Sequence, residues 1–190
     1  PFTLGVASGY PKEDSVVLWT RLAPVPLSGG GMGTTGDVEI PLEIATDSSF
    51  TNVIRRMRAI AEARYAHSVH HMVTGLRPNT HYWYRFSYGG YSATGRTLTA
   101  GNRDDVKFAF VNCQNLQEGF YPVYRDIAED GSLDLVVHLG DYIYDSVAAP
   151  GGPRRHRTKA PVDLASFRNR HADYKMDRDL QAAHAAHPWI

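Results

Sequence analysis

The residues of this chain best suited to chemistry are a cysteine, an aspartate and a tyrosine carried at the ends of two apolar runs. The first run, residues 106–113, leads into Asn112-Cys113-Gln114, and the second, 133–139, into Gly140-Asp141-Tyr142-Ile143-Tyr144-Asp145. A thiolate, a carboxylate and a phenolate can together hold a strongly Lewis-acidic ion. The two oxygen donors suit a hard ion such as Fe(III), and the sulfur adds charge and softness. Gly140 permits the sharp turn that aims Asp141 into a site, and the spacing to Tyr144 returns the phenol to the same side if the loop makes one turn. Such an ion lowers the pKa of a bound water and orients the resulting hydroxide. Taken singly, each residue also has a plainer role. Gly-Asp after a strand is a common turn, Tyr144 can be a core aromatic with its hydroxyl satisfied, and a lone Cys113 can be a small buried hydrophobe.

Two further groups invite a functional reading. Arg154, Arg155, His156, Arg157 and Lys159 form the basic cluster of a long loop after the Asp141 motif. A charge run on a loop is usually solvated, yet this one follows the candidate site, and Arg157 is the residue expected to bind substrate. The nine histidines are mostly expected to be structural: His67, His70, His71 and His81 in a β region, and His138 as a core residue or a partner of a ligand. His184 and His187 have a possible ligand spacing, with helix packing the plainer expectation.

The elements that must position these residues fall into two regions. Residues 1–101 read as an all-β sandwich, with strands at 15–22, 38–44, 67–73, 81–86 and 91–98 separated by turn signals such as Pro78-Asn79. Residues 28–33 are a Gly-rich surface loop. After a polar linker at 100–105 the pattern becomes strand, helix, strand: 106–113, a helix at 121–130 with Val123, Ile127 and Ala128 on its apolar side, and 133–139. This is a βαβ unit of a parallel sheet. Its continuously apolar strands predict a sheet covered on both faces, and catalytic groups of such sheets gather at the carboxyl ends of strands. Residues 146–161 form a long irregular loop. A helix follows from 163 to 172 or a little beyond, with Leu164, Phe167, His171 and Tyr174 on one side. Another runs through 180–186, capped by Asp177 or Asp179, and Trp189-Ile190 opens a third strand.

Composition narrows the classes. Twenty basic residues balance twenty acidic ones, so the field expected of a dedicated nucleic-acid binder is missing. No apolar run is long enough for a membrane-spanning helix. The single cysteine excludes a disulfide within the chain. The opening at Pro1 reads as a processed product, and the close at Ile190 as a fold interrupted before its sheet is finished.

Several longer stretches carry a resemblance. Phe2-Thr3-Leu4-Gly5-Val6-Ala7-Ser8-Gly9, Asp14-Ser15-Val16-Val17-Leu18-Trp19-Thr20-Arg21-Leu22, His67-Ser68-Val69-His70, Tyr82-Trp83-Tyr84-Arg85-Phe86, Val136-Val137-His138-Leu139-Gly140-Asp141-Tyr142-Ile143-Tyr144 and the tail 180–190 resemble PhoD-type alkaline phosphatases and phosphodiesterases. The resemblance implies an immunoglobulin- or fibronectin-like β-sandwich at 1–101, then, at 102–190, the first part of a calcineurin-like αββα metallophosphoesterase domain. It further implies export, often by the twin-arginine route, and the use of Fe(3+) with Ca(2+). By the same resemblance Cys113 and Tyr144 are iron ligands, and Asp141 is the catalytic residue that bridges iron to calcium. Asp145 stands where the family often has Glu, and Tyr10 where it usually has Asp. The family's later Trp-Asp-Asp-His-Glu motif is absent, which implies that a further part of the same enzyme completes the site. The implied activity is hydrolysis of phosphate monoesters and diesters. Calcium-dependent phospholipase D, which some members resemble, is an alternative, and a non-catalytic binding module is another.

Overall fold

The computed structural model describes residues 1–33, 36–146 and 151–190. Ten strands and three helices follow one another as β1 (Val6–Gly9), β2 (Val16–Arg21), β3 (Val38–Ala45), β4 (Val53–Ala61), β5 (Ser68–Val73), β6 (His81–Tyr88), β7 (Tyr91–Leu98), β8 (Phe108–Val111), α1 (Pro122–Glu129), β9 (Leu135–His138), α2 (Leu164–Lys175), α3 (Arg178–Ala186) and β10 (Pro188–Trp189). Two strands escape the sequence reading. β1 is a short run of small residues, and β4 places arginines at three of its nine positions, so neither shows a run of large β-formers.

The first region consists of two sheets packed face to face. One is β4-β3-β6-β7, and the other begins β5-β2-β1. Alternation explains the packing: Tyr82, Tyr84 and Phe86 point inward from β6, Ile40, Leu42 and Ile44 from β3, and they meet Val16, Leu18, Val69 and Val73 from the opposite sheet. The Gly-rich loop is less superficial than the sequence implies. Gly29 and Gly31 are buried, and a side chain at Gly31 would lie 2.3 Å from the Ala66 carbonyl oxygen.

The second region does not form a sheet of its own. β8 and β9 pair in parallel, as the βαβ pattern requires, and the closing strand β10 pairs in parallel with both β9 and β1. A six-stranded sheet, β5-β2-β1-β10-β9-β8, therefore runs through both regions. The seam is close-packed: a Cβ on Gly9 would stand 2.7 Å from the Trp189 carbonyl oxygen. Helices α1 and α3 cover one face of the parallel half through Tyr124, Ile127, Leu180, Ala183 and Trp189.

Three expectations are corrected here. Within this chain the parallel strands are covered on one face: Ala109 and Val111 pack toward the helices, whereas Phe108 and Phe110 are 53% and 66% exposed. On α1 the buried residues are Tyr124 and Ile127, and Val123 is exposed. On α2, Leu164 and Phe167 are exposed, while Arg170, Asp173, Tyr174 and Lys175 are buried. That helix sets Ala172 against Leu4 and Ala23, while Arg170 and Asp173 bond loop backbone and Tyr174 bonds the Leu116 and Tyr144 N–H groups, so much of its inward face is hydrogen-bonding. It starts where expected, with Asp163 and Ser166 forming a capping box, and Asp177 caps α3. Among the described residues the loop before α2 contains no regular element; residues 147–150 of that predicted loop lie outside the description.

The seam gives a direct test. Gly9→Ala forces a methyl group against a backbone oxygen that sits between two paired strands, and the expected loss is about 1–3 kcal/mol of stability, read from the denaturant midpoint. An unchanged midpoint would show that the β1–β10 junction can relax.

Candidate metal centre

The ends of β8 and β9 continue their pairing past the strands proper. Val111 is in register with His138. Beyond it, Leu139 N–H donates to the Val111 carbonyl (2.8 Å), Cys113 N–H to Gly140 (3.1 Å) and Gln114 N–H to Asp141 (3.2 Å). This ladder sets Cys113 and Asp141 side by side. Gly140 takes φ 124°, and Cys113 and Asp141 take φ 52° and 54°. Left-handed backbone at two facing non-glycine residues costs energy, and such strain clusters at functional sites.

The three side chains converge as their spacing predicts. Cys113 Sγ lies 3.7 Å from Asp141 Oδ2, and the Tyr144 hydroxyl donates to the same oxygen at 3.1 Å. Cys113 is exposed rather than buried filler. The Cys113 sulfur beside it, partial burial and the Asp141 carboxylate hold the Tyr144 hydroxyl above the ordinary phenol range.

Supporting side chains fix the backbone under this cluster. Gln114 Nε2 donates to the Tyr142 carbonyl (2.7 Å), Gln114 Oε1 accepts from Tyr124 (2.6 Å), and its carbonyl accepts from Tyr121 (2.6 Å). Both backbone groups of Tyr144 are held by α2: its N–H donates to the Tyr174 hydroxyl (3.2 Å), and its carbonyl accepts from Arg170 Nη1 (2.6 Å). Arg170 is fully buried and also binds Thr158 and the Lys159 carbonyl. His138 accepts the Gly140 N–H on Nδ1 at 3.2 Å, and burial pulls its pKa down. Sequence reasoning named Gln114 and Tyr174 only in passing and missed Arg170, because helical spacing carries no signal for a partner on a distant loop.

Arg157 is held elsewhere. Its N–H donates to Asp173 Oδ2 at 2.7 Å and its guanidinium stands 3.8 Å from Asp173 Oδ1. It lines a basic depression with Arg154 and Asp177, while Cys113 lines a different one with Asn112, Glu118 and Phe120. Among the described residues, His184 and His187 serve packing: His184 bonds the Tyr142 hydroxyl at 2.8 Å, and His187 bonds the Ile127 carbonyl at 2.8 Å.

The donor set fits a hard, highly charged ion. One sulfur and two oxygens converge, and a bound cation would favour their deprotonated forms, including loss of the proton that Tyr144 donates to Asp141. Among the described residues no group of three or more His, Cys, Asp or Glu side chains gathers. Cys113, Asp141 and Tyr144 could hold one side of a coordination shell, with further donors needed to complete it.

Arg170→Met removes the donor to the Tyr144 carbonyl and leaves buried acceptors unpaired, costing at least about 1–3 kcal/mol. If the centre loads metal, its affinity should also fall by about 10–100-fold, as for other outer-shell partners. Calorimetric unfolding and metal analysis of the purified variant read the two effects separately.

The PhoD-like phosphatase N-terminal domain matches residues 1–101, and the PhoD-like phosphatase domain matches residues 108–190. The chain is 46% identical over 200 aligned positions to alkaline phosphatase D of Bacillus subtilis (strain 168), covering all of this chain and 34% of that protein. It superposes on a solved structure of PhoD with a TM-score of 0.92 and 45% identity, covering all of this chain and 38% of that one. It therefore spans little more than a third of the length of the relatives it matches. With both regions matched and the whole length aligned, the chain belongs to the PhoD-like phosphatase family.

Proposed function

We propose that this chain forms the opening part of a metal-dependent hydrolase of phosphate monoesters and diesters. The observation that carries the reading is the convergence of Cys113, Asp141 and Tyr144 at two facing strand ends on left-handed backbone. The likeness to an alkaline phosphatase D supports the substrate class.

In this reading Cys113 and Tyr144 would hold Fe(3+), and Asp141 would serve as a ligand to both Fe(3+) and Ca(2+). When bound, the ions supply Lewis acidity toward a phosphoryl oxygen and a water deprotonated at neutral pH. The chain's own residues prepare the site. Asp141 Oδ2 accepts the Tyr144 proton, so that proton must leave before the phenolate can bind metal. The Gly140 turn and the Cys113–Gly140 backbone bond aim the carboxylate and the sulfur at one point. Arg170 and Tyr174 keep Tyr144 from swinging away. Arg157 faces Asp173, and a direct contact of Arg157 with substrate phosphate requires it to leave that partner.

The remaining ligands come from further polypeptide of the same enzyme, consistent with the greater length of the relatives. We take residues 1–101 as an immunoglobulin- or fibronectin-like domain and 102–190 as the first part of a calcineurin-like domain. Family membership also supports a secreted protein exported by the twin-arginine route. No helix of the described residues is long and apolar enough to cross a membrane.

The test is Asp141→Asn in the natural full-length protein, assayed with calcium on a simple phosphate monoester and on phosphatidylcholine. Loss of a direct ligand should lower kcat/KM by more than the ~100-fold typical of an outer-shell change, with iron content falling in parallel. Activity retained within a few-fold would remove Asp141 from the site. Dominant choline release by the wild type would replace the phosphatase reading with a phospholipase D on the same centre.

A further inference from the structure

A second polar cluster lies beneath α2 and α3, apart from the metal centre. A cavity of about 280 Å³ is lined by Ala7 and Trp19 from β1 and β2, Tyr142 from the loop, His171 and Lys175 from α2, and His184 from α3. None of Cys113, Asp141 and Tyr144 lines it. Lys175 is 2% exposed, yet its Nζ has no hydrogen-bond partner among the described residues. Its one favourable contact is the face of Trp19, 5.1 Å from the ring centre. His184 uses Nε2 on the Tyr142 hydroxyl and leaves a buried Nδ1 without a partner.

Apart from the Tyr142 phenol, the titratable groups around the cavity are all basic ones. His171 faces Lys175 and Arg21; His184 faces Lys175, His171 and His138; Arg21 faces Arg168. Arg21 is itself buried and has a free Nη2. No carboxylate bears on Lys175, His171, His184 or Arg21 among the described residues. A buried ammonium without a partner is costly, and burial holds His171 and His184 below the ordinary imidazole range, so both rings stand beside it uncharged near neutral pH. An anion beside Lys175 Nζ offsets the cost of the ammonium.

We propose that this cavity is an oxyanion site, in which a phosphate or carboxylate group sits on Lys175 Nζ between His171 and His184, walled by Trp19 and Tyr142. Two sources fit that chemistry: free inorganic phosphate, and an aspartate or glutamate side chain from polypeptide that the longer relatives possess. Burial pulls the Lys175 pKa down to about 7, so near neutral pH the ammonium form is present in part and an incoming anion completes its protonation. The walls suit a compact anion: two aromatic faces exclude water, and the lysine supplies the charge. The site stands independently of the hydrolase reading, since none of its groups belongs to the Cys113 cluster.

The experiment uses full-length protein stripped of metal by chelation, so that phosphate affinity of a loaded centre cannot contribute. Inorganic phosphate is titrated calorimetrically into wild type, Lys175→Met and Lys175→Arg. Binding to wild type that weakens at least tenfold in Lys175→Met and persists in Lys175→Arg supports a free-phosphate site. If wild type binds no phosphate, a crystal structure of the full-length protein decides. A carboxylate within hydrogen-bonding distance of Lys175 Nζ supports the site with a protein ligand. A cavity filled by apolar side chains, or phosphate binding equal in all three proteins, overturns the proposal. The Arg variant keeps the question answerable should Lys175→Met fail to fold.

Discussion

Everything in this chain hangs on a two-residue strand. β10 and the residue after it are bonded on both sides: Ile190 N–H donates to the Val136 carbonyl at 3.0 Å, the Ile190 carbonyl accepts from His138 N–H at 2.7 Å, and the Trp189 carbonyl accepts from Tyr10 N–H at 3.2 Å. Without it, β1 and β9 face each other across an empty strand's width and the sheet becomes two. Backbone polar groups in such a position need partners, and residues 188–190 supply them between β1 and β9. The arrangement also sets the orientation of the site, since the strand that carries Asp141 is the one that β10 anchors to the β-rich region.

The seam explains why the strands differ in how openly the sequence announces them. β2, β3 and β6 bury large alternating residues between two sheets and can be read from pattern alone. β1 buries Ser8 and presses Gly9 against the Trp189 carbonyl; there the small side chain is what the packing demands, and smallness gives no strand signal. β4 conceals its alternation differently, since Arg55 turns back to the Thr74 and Gly75 carbonyls.

The candidate centre divides in the same manner. Cys113, Asp141 and Tyr144 were legible because parallel strands deliver their ends to one edge and a short turn brings the third group back. The residues that hold them were not. Arg170 meets the Tyr144 carbonyl 26 positions earlier in the chain, and Tyr174 meets the Tyr144 N–H from 30 positions away. Periodicity reports which face of a helix is apolar; α2 turns a hydrogen-bonding face inward, so periodicity pointed to Leu164 and Phe167, which lie in solvent. The same helix carries the buried lysine, whose ammonium stands over Trp19.

The left-handed backbone at Cys113 and Asp141 narrows what sequence drift can accept there. Each position is screened twice, once for the group it offers and once for the dihedral angle it must tolerate. Asn and Gly bear such angles readily, whereas β-branched residues do not. A protein retaining this fold after losing the centre would therefore be expected to carry Gly or Asn at these two positions, rather than Val or Thr. The backbone would keep an imprint of the site after its chemistry had gone.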